Sequence, residues 1–271
     1  MVSIGKLAKG QESYYLDAVA RGVEDYYLES EAPGRWLGAG TALLGLAGEV
    51  DADALAAVLD GRDPTTDTRL RSSKGGRIPG FDLTFRAPKS VSVVFGLAEA
   101  VIAAVVAEAH DLAVDAALGY LERHATWTRR GHGGAEQIRG DGLVAAAFRH
   151  RTSRAGDPHL HTRVLVANAV RGADGRWSTV DARHFYWHSK TAGYLYEAHL
   201  RSELTARLGV RWTKAIKGIA DIDGVPLDVL GTFSTRRAER SPNSATSSPP
   251  APFASSAGTS ARPSLAPSTT S

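Results

Sequence analysis

Three histidines and two pairs of tyrosines are the residues of this chain whose types and spacing suit chemistry. An apolar run, residues 143–148, leads through Arg149 to His150, and His159 and His161 stand just ahead of a second run, residues 164–167. Side chains two apart on a strand share a face, so His159 and His161 point the same way, with His150 supplied by a neighbouring strand. Neutral imidazole is a metal ligand, and residues 151–158 between the runs have the composition of a loop. Any one of these histidines alone reads as an ordinary core or loop residue. Three of them converging at the ends of two apolar runs favour a metal site.

The tyrosines stand near the amino terminus as Tyr14-Tyr15 and Tyr26-Tyr27. A phenol with a pKa of about 10 is a poor nucleophile at neutral pH. Its attack becomes feasible on a phosphate whose oxygens are polarised by a cation. Paired aromatics by themselves usually just pack. Beside a histidine cluster, in a chain of net charge +3 and pI about 9.2, they point to phosphoryl chemistry. A charge that small also suits proteins that bind nothing anionic, so its placement decides. Basic residues cluster at Arg69, Arg71, Lys74 and Arg77, at Arg123, Arg129 and Arg130, and at Arg149, Arg151 and Arg154. Each cluster suits either a phosphate backbone or a solvated loop.

Several ordered stretches carry a family resemblance over roughly the first 235 residues. They are the two tyrosine pairs, Arg35-Trp36, residues 45–50 (GLAGEV), residues 80–92 (GFDLTFRAPKSVS), His150 to Arg154, Asp157 to Thr162 (DPHLHT), Val166-Ala167-Asn168, residues 174–177 (DGRW) and residues 233–236 (FSTR). The chain resembles the MobF-class conjugative relaxases of the TrwC/TraI type. The resemblance implies a site- and strand-specific DNA nickase acting at a transfer origin. A tyrosine of the first pair, Tyr14 or Tyr15, would attack the scissile phosphodiester, leaving a 5′-phosphotyrosyl enzyme and a free 3′-hydroxyl. Tyr26 and Tyr27 would serve a later strand transfer. Asp82 would orient a tyrosine or a histidine or accept a proton, a carboxylate fixing an imidazole tautomer; a plain hydrogen bond to nearby backbone is the competing reading. The implied cofactor is a divalent ion (Mg, Mn or Zn). The implied partners are single-stranded and hairpin DNA at the origin, with relaxosome and coupling proteins. Lys89, Arg149, Arg151, Arg154 and Arg163 are the candidate DNA contacts.

One departure from the family pattern bears on activity. The family's metal triad is one histidine followed by a His-Thr-His pair. Here it maps onto His150 and His161, with Arg163 where the third histidine belongs. A guanidinium stays protonated and cannot ligate a cation. His159 shares the face but lies roughly 6.6 Å earlier along a strand; it becomes a substitute ligand only if the strand or the ion shifts. The expectation is weakened metal affinity and impaired nicking, restored by Arg163→His, with the arginine still able to contact the scissile phosphate.

The elements that must position these residues follow from periodicity. Residues 97–127 repeat apolar positions at helical spacing, with a break expected near His110-Asp111, and residues 186–208 do so through Leu195, His199, Leu200, Leu204 and Leu208. His199 on that stripe is expected to be packed in the core. Residues 14–27 read as a helix on which Tyr15 and Tyr26, eleven apart, share a face. Residues 80–85 and 91–95 read as strands around an Ala-Pro-Lys turn, and residues 159–170 with 176–180 as a hairpin. The expected fold is α+β, an antiparallel sheet with central His-bearing strands and flanking helices. This agrees with the palm-like fold of HUH-type relaxases that the resemblance implies.

The expected organisation is a relaxase domain over residues 1–238 and a disordered Ser/Pro/Ala-rich tail over 239–271. The tail begins where the family continues into helices that close over DNA, which reads as truncation or a reading-frame change, or else as a genuine linker. No Gly-x-x-x-x-Gly-Lys-Ser/Thr motor motif occurs. Zero cysteines exclude disulfides, thiolate catalysis and Cys-ligated zinc. No apolar run spans a bilayer and the start lacks a signal-peptide core, so a cytoplasmic protein without membrane insertion is expected. Two other functions stay open beside the active relaxase: a catalytically dead remnant that binds single-stranded DNA, and a rolling-circle replication initiator.

Overall fold

The computed structural model describes residues 2–8, 33–71 and 78–235. Along the chain the strands are β1 (Val2–Lys6), β2 (Arg35–Leu37), β3 (Gly80–Arg86), β4 (Trp127–Arg130), β5 (Glu136–Arg139), β6 (Ala145–Thr152), β7 (Pro158–Ala167), β8 (Val170–Arg171) and β9 (Trp177–Ser178). The helices are α1 (Ala52–Asp60), α2 (Lys89–Leu97), α3 (Ala100–Ala125), α4 (Arg183–Leu208) and α5 (Leu227–Thr232). β1-β3-β7-β6-β2 form one sheet in that order, antiparallel at every pairing. The histidine-bearing β7 is its middle strand and β6 its neighbour.

The sheet's two faces are distinguished by strand alternation. Phe81, Leu83 and Phe85 of β3 and Leu160, Val164 and Val166 of β7 face a core shared with α3 and α4. Those helices bring a line of alanines (Ala103, Ala109, Ala113, Ala117) and Phe185, Tyr196, Leu200 and Leu204, all buried. Small residues on α3 let the helix approach closely, and larger ones on α4 fill the space. The other face has a smaller core, in which Leu165, Ala167, Val144, Ala146 and Phe148 meet Trp36 and α1. Among the described residues, that core covers only one end. β7 therefore reads as continuously buried from Val164 to Ala167 but alternates from Pro158 to Arg163, which leaves a polar half-face for a site. Gly80, at the covered end of β3, has no room for a side chain: a Cβ would collide with the Val166 carbonyl oxygen.

Four local expectations change. Residues 91–95 belong to helix α2, not to a strand. Ser90, Val91, Ser92, Val93 and Phe95 are all buried, so the segment has no polar period to reveal its type. The helix start is held by Asp221, whose carboxylate accepts from the Ser90 amide (3.1 Å) and hydroxyl (2.7 Å). α3 runs unbroken through His110-Asp111. His199 is exposed, because the buried line of α4 is Ala192, Tyr196, Leu200 and Leu204, one step away from Leu195 and His199. The hairpin is β8–β9 about Gly172 to Gly175, with β7 ending earlier at Ala167. No helix among the described residues is long and apolar enough to cross a membrane. The four tyrosines of the pairs, the expected helix around them, Lys74, Arg77 and the expected tail lie outside the described residues.

Candidate active site on the open half-face

β7 presents His159, His161 and Arg163 to the open half-face, since alternate residues share a side and Leu160, Thr162 and Val164 are buried on the other. On β6, His150 lies directly opposite His161, with ring centroids 5.0 Å apart and near-parallel planes. The His159 and His161 rings are 4.7 Å apart. β3 contributes Asp82, Thr84 and Arg86, with Thr84 opposite Arg163 and Arg86 opposite His161. The face thus carries imidazoles, two guanidiniums and one carboxylate within three adjacent strands. A bulge between His150 and Thr152 ends the regular pairing, where the chain turns through Ser153 to Asp157.

His161 is held as the tautomer a ligand or hydrogen-bond acceptor requires. Its Nδ1 lies 2.8 Å from the His159 carbonyl oxygen; a carbonyl only accepts, so the proton sits on Nδ1 and Nε2 keeps its lone pair. Burial lowers the pKa of this ring to about 4, with His150, His159 and Arg86 adding repulsion. His161 is therefore neutral at physiological pH.

Arg163 is turned toward Asp82. Its Nε (3.2 Å) and Nη2 both donate to one oxygen, Asp82 Oδ2, while Thr84 Oγ1 donates to Oδ1 at 3.2 Å. Asp82 thus engages an arginine and a hydroxyl among its partners; the tyrosines it is expected to orient lie outside the described residues. Among the described residues, no group of three or more His, Cys, Asp or Glu side chains is set to hold a metal ion. His150 and His161 suit two imidazole ligands of one ion, but the next position on the face is a cation. This donor set does not fit a three-imidazole centre.

The remaining candidates separate by face. Arg149 lies on the helix side, ion-paired with Asp111 of α3. Arg151 stacks its guanidinium 4.4 Å from the Phe95 ring of α2. Arg154 is exposed in the β6–β7 turn, and Lys89 Nζ donates to the Pro158 carbonyl at 3.0 Å, fixing the start of β7. In the other basic clusters, Arg71 is buried against the Leu59 carbonyl, Arg129 pairs with Asp181 and Arg130 with Asp174. Sequence reasoning passed over Thr84 and Arg86, although they follow Asp82 at steps of two on one strand. It also passed over His110. That ring is fully buried, 2.8 Å from both Tyr196 Oη and Thr162 Oγ1, and so grips β7 from behind between His161 and Arg163.

The sequence model of the TrwC relaxase family matches residues 8–264. The multifunctional conjugation protein TraI of Escherichia coli is 34% identical over 214 residues, which cover 74% of this chain and 12% of TraI; this chain therefore spans about an eighth of that relative. TraI of the K12 strain is likewise 34% identical, over 210 residues, 72% of this chain and 12% of its own length. Among solved structures, the conjugative relaxase TrwC in complex with oriT DNA superposes with a TM-score of 0.75 over 88% of this chain and 80% of its own. It does so both metal-free, at 29% identity, and metal-bound, at 30%. The fold, the order of the matching stretches and the extent of these similarities agree: the chain belongs to the TrwC relaxase family.

Proposed function

We propose that this chain cleaves one strand of DNA at a transfer origin and holds the cut end covalently on a tyrosine. The observation that carries the reading is the open half-face, where His150, His161, Asp82, Arg163 and Arg86 meet on the fold of a family whose members are solved with origin DNA. In the reaction a tyrosine Oη of the first pair bonds to phosphorus as the P–O3′ bond breaks. The 3′-hydroxyl leaves with a proton, and the 5′ end stays on the enzyme. Arg86 and Arg163 place positive charge where the phosphoryl oxygens gain negative charge. Neutral His161 offers Nε2 as an acceptor, and Asp82 holds the Arg163 guanidinium. TrwC has been solved metal-bound, and an ion bound here would polarise a phosphoryl oxygen. The donor set in this chain falls short of the three imidazoles, and no step is assigned to an ion.

The DNA partner we assign is a single strand flanked by a hairpin, since TrwC is also solved with a 27-mer comprising the recognition hairpin and the cleavage site. We assign the activity to the cytoplasm, with relaxosome and coupling proteins as further partners. A second reading, a DNA-binding remnant without cleavage, is favoured by one observation, the arginine at position 163.

Covalent capture separates the two. The purified chain is incubated with a labelled oligonucleotide carrying the nick site of its own element, then run on a denaturing gel beside Tyr14→Phe and Tyr15→Phe. A labelled protein band lost with one of these tyrosines supports the nickase. DNA binding without any band supports the remnant.

A further inference from the structure

We infer that Arg163, held by Asp82, is the cation that meets the scissile phosphate, so that strand cleavage by this chain proceeds without a bound divalent ion. The inference rests on the nickase reading and concerns what neutralises the phosphate at that site.

The first argument is position. Arg163 follows His161 on the same face of the central strand, and Thr84 and Phe148 lie opposite it on the two flanking strands. It lies on the central strand, at the end of the half-face that meets the second core. A guanidinium there is permanently charged, and beside its bonds to Asp82 it can still donate to a phosphate oxygen.

The second argument is preorganisation. Two nitrogens of Arg163 converge on one oxygen of Asp82, and Thr84 steadies the other oxygen. The Asp82 side chain is only 13% exposed and that of Arg163 27%, so the pair is partly withdrawn from solvent. A long side chain fixed in this way loses little further freedom on meeting an anion, which makes a preset charge effective in a transition state.

The third argument is electrostatic. Arg86 sits across from His161 on β3, a second guanidinium on the same half-face. Arg163 and Arg86 together therefore leave the half-face more hospitable to an anion than to a dication. Arg163 follows His161 at a step of two on the same face and supplies positive charge there.

The test measures covalent product with the nick-site oligonucleotide in EDTA and in Mn²⁺, for the wild type, Arg163→Met, Arg163→Lys and Arg163→His. We expect wild-type rates within about twofold of each other in the two conditions. Arg163→Met should lose about 10²- to 10³-fold, the usual consequence of deleting one donor to developing charge, and Arg163→Lys should lose less. Arg163→His should be slow in EDTA and recover in Mn²⁺. A readout independent of turnover is the salt dependence of single-strand binding, whose slope should fall by about 0.7 in Arg163→Met for one lost phosphate contact. Circular dichroism melts confirm that each variant is folded. Wild-type cleavage abolished by EDTA and restored by Mn²⁺ overturns the inference and leaves the nickase reading standing, as does an unchanged salt slope in Arg163→Met. No wild-type product in either condition overturns both.

Discussion

The two faces of the central sheet share strands, yet they treat the same residue types in opposite ways. On the helix face, His110 is fully buried with both ring nitrogens engaged. On the open half-face, His161 has one nitrogen tied to the backbone of its own strand and a lone pair on the other. Arginine–aspartate pairs on the two faces differ in direction. Arg149 reaches back to Asp111 on a helix and ties two layers together. Arg163 reaches sideways to Asp82 on the adjacent strand and stays within the layer it serves. For the histidines, full burial with both nitrogens engaged makes a structural group, whereas one tied nitrogen and a lone pair on the other make a poised one. His161 and Arg163 are held from behind by Thr162, which faces the helices, so the structural face sets the geometry of the functional one.

The largest expected effect comes from breaking the helix face. Phe185, fully buried and edge-on to Phe81, should cost about 3–5 kcal/mol on Phe185→Ala, read by urea denaturation. His150→Ala on the open half-face should change stability by no more than about 1 kcal/mol while reducing covalent product. Equal stability losses would show that the partition between faces is wrong.

The seam between the faces is tested by Thr162→Val. Removing the hydroxyl leaves one nitrogen of a buried His110 without its partner, for about 1–3 kcal/mol. If β7 is positioned through that bond, product formation falls in a variant that remains folded by near-ultraviolet circular dichroism. Normal turnover would confine His110 to stability alone.

His110 also predicts a pH dependence. Burial first, then nearby arginines, lowers its pKa well below 6.5, so the folded protein keeps it neutral while the unfolded chain protonates it. Below the unfolded pKa the unfolded state binds more protons and stability falls with falling pH; above that pKa the contribution is complete. Urea midpoints should therefore drop between pH 7 and 5, and the drop should be smaller in His110→Asn. Parallel curves for the two proteins would remove His110 as the cause.

The smallest effect sharpens the comparison at the arginines. Arg149→Gln should cost at most about 1 kcal/mol and leave the salt slope of DNA binding unchanged. A slope lower by about 0.7 would show that Arg149 reaches a phosphate despite its place on the helix face.

Much of the site was legible in the chain because alternation on a strand is a local rule. His159, His161 and Arg163 share a face by spacing alone, and the Gly80–Arg86 strand carries Asp82, Thr84 and Arg86 by the same rule. The helix α2 was not legible, because a segment buried on every side shows no polar period and because its amino-terminal cap, Asp221, comes from 131 residues further along. His199 was misplaced because consecutive apolar residues on α4 allow two stripes, and only packing against the sheet selects the one through Tyr196.

By itself the sequence determined the fold class, the family, and the replacement of a third imidazole by an arginine, since these depend on residue order and on chemistry that no environment alters. The tertiary structure decided which arginines share the site face, that Arg163 is held by Asp82, and that a buried histidine grips β7 from behind. Those outcomes depend on which strand lies next to which, and long-range pairing of strands and helices alone supplies that.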